Sequence, residues 1–136
     1  MNTFKLRIIT PQKVVREEEI ESLSVPSVTG ELTVLHNHIP LFTLLTEGIC
    51  RIKSGNKVDE LAIGRGYLEI TGKETNLLVS AAYGQDEIDE KLVKDAQEDA
   101  KKLLATAKTD AERQEAMRTL RRSVVDLKLL KKQRRR

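Results

Sequence analysis

The sequence predicts an α+β protein: an N-terminal antiparallel β-sandwich or flattened barrel over residues 1–84, then an antiparallel two-helix hairpin over residues 85–136. Three observations predict it. Up to Tyr83, short apolar stretches alternate with polar residues and are broken by Gly, Pro and Asn, the pattern of half-buried strands joined by turns. From Gln85 to Arg136 there is neither Gly nor Pro, so apolar period and capping residues alone mark the elements. Charge also redistributes along the chain. Residues 1–85 hold nine Lys+Arg against ten Asp+Glu, residues 86–105 seven acids against four bases, and residues 106–136 eleven bases against four acids, a local +7. A near-neutral β-rich body carries a charged arm.

Phe4, Leu6 and Ile8 alternate with Thr3, Lys5 and Arg7 as a strand with one buried face, ended by Thr10-Pro11. Similar runs follow at Ile20–Val25, Glu31–Leu35, Leu41–Leu45, Ile49–Lys53, Val58–Ile63, Tyr67–Thr71 and Asn76–Ser80. Ser54-Gly55-Asn56 and Thr71-Gly72-Lys73 sit between such runs and read as tight hairpin turns. Eight or more short strands without intervening helices indicate a sandwich or barrel.

In the arm, Ile88, Leu92, Ala96, Ala100 and Leu103-Leu104 recur at helical spacing, with Asp86, Glu87, Asp89 and Glu90 crowding the positive end of the macrodipole. Thr109-Asp110-Ala111-Glu112 reads as a capping box opening a second helix, whose stripe runs Ala116-Met117, Leu120, Val124, Leu127 and Leu130. The short link around Thr106-Ala107-Lys108 makes the pair antiparallel. Each stripe is narrow, and Ala buries little area, so the two helices are expected to separate readily.

The core must be aliphatic. Trp is absent, and Phe4, Phe42, Tyr67 and Tyr83 are the only aromatics, which argues against an aromatic-lined pocket or a base-stacking surface. A lone Cys50 suits a reducing compartment, and no apolar run reaches the roughly 18 residues of a membrane span. Met1-Asn2-Thr3-Phe4 does not resemble a signal peptide. Gly64-Arg65-Gly66 lacks the further glycine and following helix of a phosphate loop. His36 and His38 are the only imidazoles, so no catalytic set is visible, and no third ligand lies near enough in sequence to make them a metal site.

The order Thr10-Pro11, Val25-Pro26, Gly30-Glu31-Leu32, Val34-Leu35, Asn37-His38-Ile39-Pro40, Gly48, Arg51-Ile52 and Gly66-Tyr67-Leu68-Glu69-Ile70 resembles the epsilon subunit of F-type ATP synthases, of bacterial and plastid type, along the whole chain. Thr33 and Arg65 stand where that family usually has Gly, and His36 where it often has Pro; those backbones tolerate a Cβ here. The resemblance implies a non-catalytic rotor subunit of the central stalk, coupling the shaft to the membrane ring in proton-driven ATP synthesis, with a hairpin that inhibits ATP hydrolysis. It places Glu31 and His38 against polar loops of the c-ring, although a purely structural role for either is an equal alternative. A shaft-binding edge for the gamma subunit is expected at Leu41, Phe42, Leu44 and Leu45. An extended arm would bring the inhibitory bases Arg118, Arg121, Arg122 and Lys128 to the catalytic beta subunits. For Lys128, Lys131, Lys132 and Arg134 to Arg136 the dipole of a helix C-terminus is explanation enough.

Many bacterial members of that family carry Ile/Leu-Asp-x-x-Arg-Ala at the start of the first helix, where ATP holds the hairpin folded. Here Ile88 and Asp89 match, but Leu92 stands at the arginine position and cannot pair with a phosphate. ATP binding is therefore expected to be weak or absent, with no other cofactor and no metal. The resemblance puts the chain at the cytoplasmic face of the inner or plasma membrane, or the stromal thylakoid face in a plastid, attached only through the complex. The main alternative is a β-sandwich adaptor whose basic helical arm binds nucleic acid, but no recognition motif accompanies those bases and the sandwich is nearly neutral.

Overall fold

The computed structural model describes residues 2–134, with the side chains of Gln133 and Arg134 excepted. The expectations for Arg135, Arg136 and the Arg134 side chain lie outside the described residues. The chain divides into two compact units, residues 1–83 and 84–136.

The first unit is a sandwich of ten strands: β1 (Phe4–Ile9), β2 (Val14–Ile20), β3 (Ser22–Ser27), β4 (Gly30–Leu35), β5 (Leu41–Leu45), β6 (Gly48–Ser54), β7 (Lys57–Ile63), β8 (Gly66–Ile70), β9 (Glu74–Val79) and β10 (Ala82–Tyr83). One five-stranded sheet has the order β4-β3-β6-β7-β10 (sheet 1) and the other β5-β8-β9-β1-β2 (sheet 2), continuous through the single pairing of Ser27 with Leu45. On the open side, Arg16 Nη1 on β2 donates to Asp59 on β7 at 2.9 Å. Burial opposes the Arg16 charge, but Asp59 and then Glu18 outweigh it and hold its pKa above the usual value.

Between the sheets lies one aliphatic core. Leu6, Ile8, Leu23, Ile52, Leu68 and Leu77 are each at most 2% exposed. Burying such a side chain is worth about 1.5–3 kcal/mol, so this cluster supplies most of the unit's stability. Cys50 joins it, and burial pushes its thiol pKa up to about 12 against a smaller opposite pull from Arg16. Gly66 is required by packing: a Cβ there would overlap the Leu78 carbonyl on β9. At the β6–β7 turn Gly55 takes a φ of 63°, which an L side chain adopts only with strain.

Two features differ from the sequence reading. The run beginning at Ile20 is the junction of two strands, and the missed strand β2 covers Val14–Ile20. Its Arg16-Glu17-Glu18-Glu19 segment lacks an apolar alternation because β2 is an edge strand with both faces largely in solvent. In addition, one pairing is parallel: β1 lies alongside β9, Lys5 opposite Glu74 through Ile9 opposite Leu78.

The second unit opens with a 3₁₀ turn (Gln85–Glu87), followed by α1 (Glu90–Thr106) and α2 (Asp110–Arg134). α1 begins later than Asp86 because Asp89 is its N-cap, accepting the N–H groups of Lys91 at 3.0 Å and Leu92 at 3.2 Å. At α2, Thr109 Oγ1 accepts from Glu112 N at 3.2 Å, while Glu112 accepts from Lys108 N, one residue before the position a standard capping box uses. Gln85 Nε2 donates to the Leu129 carbonyl, tying the start of the arm to the far end of α2.

The expected stripes are met in part: Ala100, Leu103 and Leu104 on α1 and Ala116, Leu120, Leu127 and Leu130 on α2 are buried or half-buried. Leu92 is 65% exposed, Val124 58%, and Ala96 and Met117 are also exposed, whereas Val93 and Gln97 on α1 and Ser123, Asp126 and Leu129 on α2, outside those stripes, are covered. Small and polar residues occupy buried turns of α2, so hydrophobicity alone did not mark the whole face.

Candidate functional site

Residues paired across neighbouring strands share a face of the sheet. On the outer face of sheet 2, Leu44 pairs with Tyr67, Tyr67 with Leu78, Leu78 with Ile9, and Ile9 with Val14. An apolar row therefore crosses all five strands, and four of its five members are exposed. Phe42, 63% exposed, extends it and stacks on Tyr67 with ring centroids 5.5 Å apart and planes inclined by 27°. Contiguous apolar surface of this kind makes the face a candidate interaction site.

Beside that row runs a polar one: Phe42 pairs with Glu69, Glu69 with Asn76, Asn76 with Arg7 and Arg7 with Glu17. Lys5 reaches Glu17 at 3.0 Å and Arg7 Nε lies 3.8 Å from it, which holds the exposed Glu17 carboxyl below its usual range, Lys5 being the larger cause. The outer face of sheet 1 is different in kind. Its corresponding row, Thr33, Ser24, Arg51 and Glu60, is polar throughout.

Of the four residues expected to bind a shaft, only Phe42 and Leu44 point outward. Leu45 is 3% exposed in the core and Leu41 packs against it, so the expectation for those two side chains is corrected: in a strand the side chains alternate, and Leu-Phe-Thr-Leu-Leu is apolar on both faces. Sequence reading missed Tyr67, Leu78, Ile9 and Val14. The signal was present as the outward half of each apolar run, but register was needed to join the halves.

Glu31 and His38 are not brought together. Glu31 is exposed at the start of β4 opposite Pro26, and His38 lies in the loop beyond the other end of that strand. The rise from Glu31 to Leu35 alone is about 14 Å. In the loop, Asn37 takes a φ of 63°, His38 N donates to Leu35 O, and His38 Nδ1 is 2.7 Å from the Ile39 carbonyl. A carbonyl only accepts, so Nδ1 is the donor in this contact. The loop, the β8–β9 turn and the start of β1 line a shallow cleft of about 200 Å³ that includes His36, His38, Lys73 and Glu74.

In the arm, Arg118, Arg122 and Lys128 are exposed and Arg121 is half-buried, the three arginines within little more than one turn of α2. Asp89 is occupied as a cap and Ile88 closes the 3₁₀ turn with a hydrogen bond to Gln85 O. Lys94 pairs with Glu90 at 3.3 Å. Among the described residues no three His, Cys, Asp or Glu side chains are grouped to hold a metal ion, and no helix is long and apolar enough to cross a membrane.

A family model described as the beta-sandwich domain of the ATP synthase delta/epsilon chain matches residues 3–85. The ATP synthase epsilon chain of Gloeothece citriformis is 35% identical over 112 residues, 82% of this chain and 81% of that one. The epsilon chain of Halalkalibacterium halodurans is 36% identical over 81% of this chain and 83% of its own, and that of Syntrophomonas wolfei 30% identical over 96% of both. A chain in the cryo-EM structure of Euglena gracilis mitochondrial ATP synthase superposes with a TM-score of 0.79 at 20% identity, covering 88% of this chain and 76% of that one. A chain of the Tetrahymena thermophila mitochondrial central stalk and c-ring gives 0.54 at 12% identity, over 62% and 68%. Both are likenesses of fold.

Proposed function

The chain belongs to the ATP synthase epsilon-chain family, and from that premise we propose that it is the rotor subunit that couples the central shaft to the membrane ring, without catalysis of its own. The observation that carries this reading is the apolar row from Val14 to Leu44 with Phe42 beside it, a surface fit for permanent burial against the gamma subunit. Glu31 and His38 then meet polar loops of different copies in the c-ring, since the length of β4 separates them. The chain sits on the cytoplasmic face of the membrane, or the stromal face in a plastid, held there by the complex.

The arm acts as the brake. Its few buried apolar residues let it leave the folded hairpin, and Arg118, Arg121, Arg122 and Lys128 then pair with acidic segments of the catalytic beta subunits while Val124 and Leu120 are buried. ATP plays little part, because Leu92 offers no charge and the Asp89 carboxylate is committed to backbone amides.

Purification of the ATP synthase carrying a tagged chain truncated after Gln85 tests both halves. Assembly should be unaffected and ATP hydrolysis should rise; changing the three arginines to Ala should reproduce much of the rise. Unchanged hydrolysis across salt and nucleotide conditions refutes the brake. Failure of the full chain to co-purify with gamma refutes the rotor reading.

A further inference from the structure

We propose that Glu69 and Glu74, arranged around Asn76, form a receptor for an arginine side chain of the protein segment that docks on the apolar row. This rests on the docking reading above and adds the chemistry that fixes the partner's register.

Asn76 is only 7% exposed although it stands on the outer face of sheet 2. Its Nδ2 donates to Glu69 Oε1 at 3.1 Å and to Glu74 Oε1 at 3.4 Å, so two carboxylates converge on one amide nitrogen. Carboxylates only accept, which fixes the orientation of the amide and leaves Oδ1 buried and without a hydrogen-bond partner. A buried acceptor beside two acids calls for a donor.

The cations close by do not supply it. Lys5 stands opposite Glu74 in the β1–β9 register and Arg7 opposite Asn76, but Lys5 is drawn to Glu17 at 3.0 Å, and the Arg7 Nε, itself buried, makes no hydrogen bond. Among the described residues neither Glu69 nor Glu74 takes part in an ion pair. An incoming cation would find both carboxylates without an ion-pair partner.

Arginine fits better than lysine. Phe42 is the cross-strand neighbour of Glu69 and stacks on Tyr67, so an exposed ring face borders the carboxylate. A guanidinium lies flat on that ring while its fork engages the glutamate, and its remaining N–H groups reach toward Asn76 Oδ1. The same arrangement accounts for the Gly-Tyr-Leu-Glu-Ile segment at 66–70: Leu68 and Ile70 build the core, while Tyr67 and Glu69 present the stacking face and the charge.

The test is binding of the full chain to purified shaft subunit across a range of salt, with circular dichroism to check that each variant is folded. Glu69→Gln with Glu74→Gln should weaken binding about tenfold and flatten its salt dependence. Phe42→Ser with Leu44→Ser should weaken it at all salt concentrations. One shaft arginine, changed to Ala or to Lys, should be non-additive with Glu69→Gln in a double-mutant cycle. Parental affinity and salt dependence in the double Gln variant, with loss of binding in the apolar one, overturns the receptor and leaves the docking face standing. Parental binding by the apolar variant overturns the docking face itself. Coupling of Glu69 to no shaft arginine also overturns the receptor.

Discussion

The sandwich and the hairpin hold themselves together by different means. The sandwich closes fifteen apolar side chains into one cluster, several of them wholly excluded from solvent. In the hairpin the buried residues of the described part are Ala100, Ala116 and Leu129, together with Ser123 and Asp126. Alanine removes about a third as much apolar area as leucine, and a buried Ser or Asp must have its polar atoms satisfied before it contributes anything. One unit is built to keep a single shape. The other closes on far less apolar area.

Four measurements break or sharpen that contrast. Leu77→Ala in the sandwich should cost about 2–5 kcal/mol in chemical denaturation, because the site is enclosed by both sheets. A cost below about 1 kcal/mol would mean that the core is as loose as the hairpin.

The next effect is alkaline. The Cys50 thiol has its pKa raised from 9.0 to about 12, so the folded state keeps its proton while the unfolded state loses it. Stability from this source is complete below pH 9 and declines as pH rises from 9 toward 12, by at most about 4 kcal/mol. Urea titrations of the parent and of Cys50→Ala should diverge in slope only above pH 9, and the native thiol should resist disulfide reagents at pH 8.

In the hairpin the expected changes are smaller. Asp89→Ala removes the acceptor for two backbone amides and should cost about 1 kcal/mol, read as faster hydrogen exchange in α1 with the sandwich amides unchanged. Ser123→Ala should lie within about 0.5 kcal/mol of neutral, since its hydroxyl merely returns to the Thr119 carbonyl at 2.7 Å and Ala is the better helix former. A large loss there would show that the buried polar face of α2 is a specific lock.

How far the sequence could be read follows from the same contrast. Where burial is set by aliphatic alternation, as in β1 and β8, strand limits and inward faces were legible. β2 was not, because an edge strand needs no buried face and Glu17 to Glu19 look like a solvated loop. In α2 the conspicuous residues Met117 and Val124 are exposed, whereas Ser123 and Asp126 are buried and carry no hydrophobic signal. Phe42 and Leu44 were found as part of an apolar run, yet Tyr67, Leu78, Ile9 and Val14 join them only through strand register. The pairing of Glu69 and Glu74 on Asn76 needs the β8–β9 register in the same way.

The parallel alignment of β1 with β9 also bears on how the chain comes to be folded. Lys5 meets Glu74 from 69 positions away, and no local hairpin prepares that encounter. During synthesis the first strand must wait, with one edge bare, until nearly the whole sandwich has left the ribosome. Pairings of such long range place a domain among the slow folders, in milliseconds to seconds. The charged run of β2, folded back along the other edge of β1, keeps a newly made chain from pairing there with its neighbours.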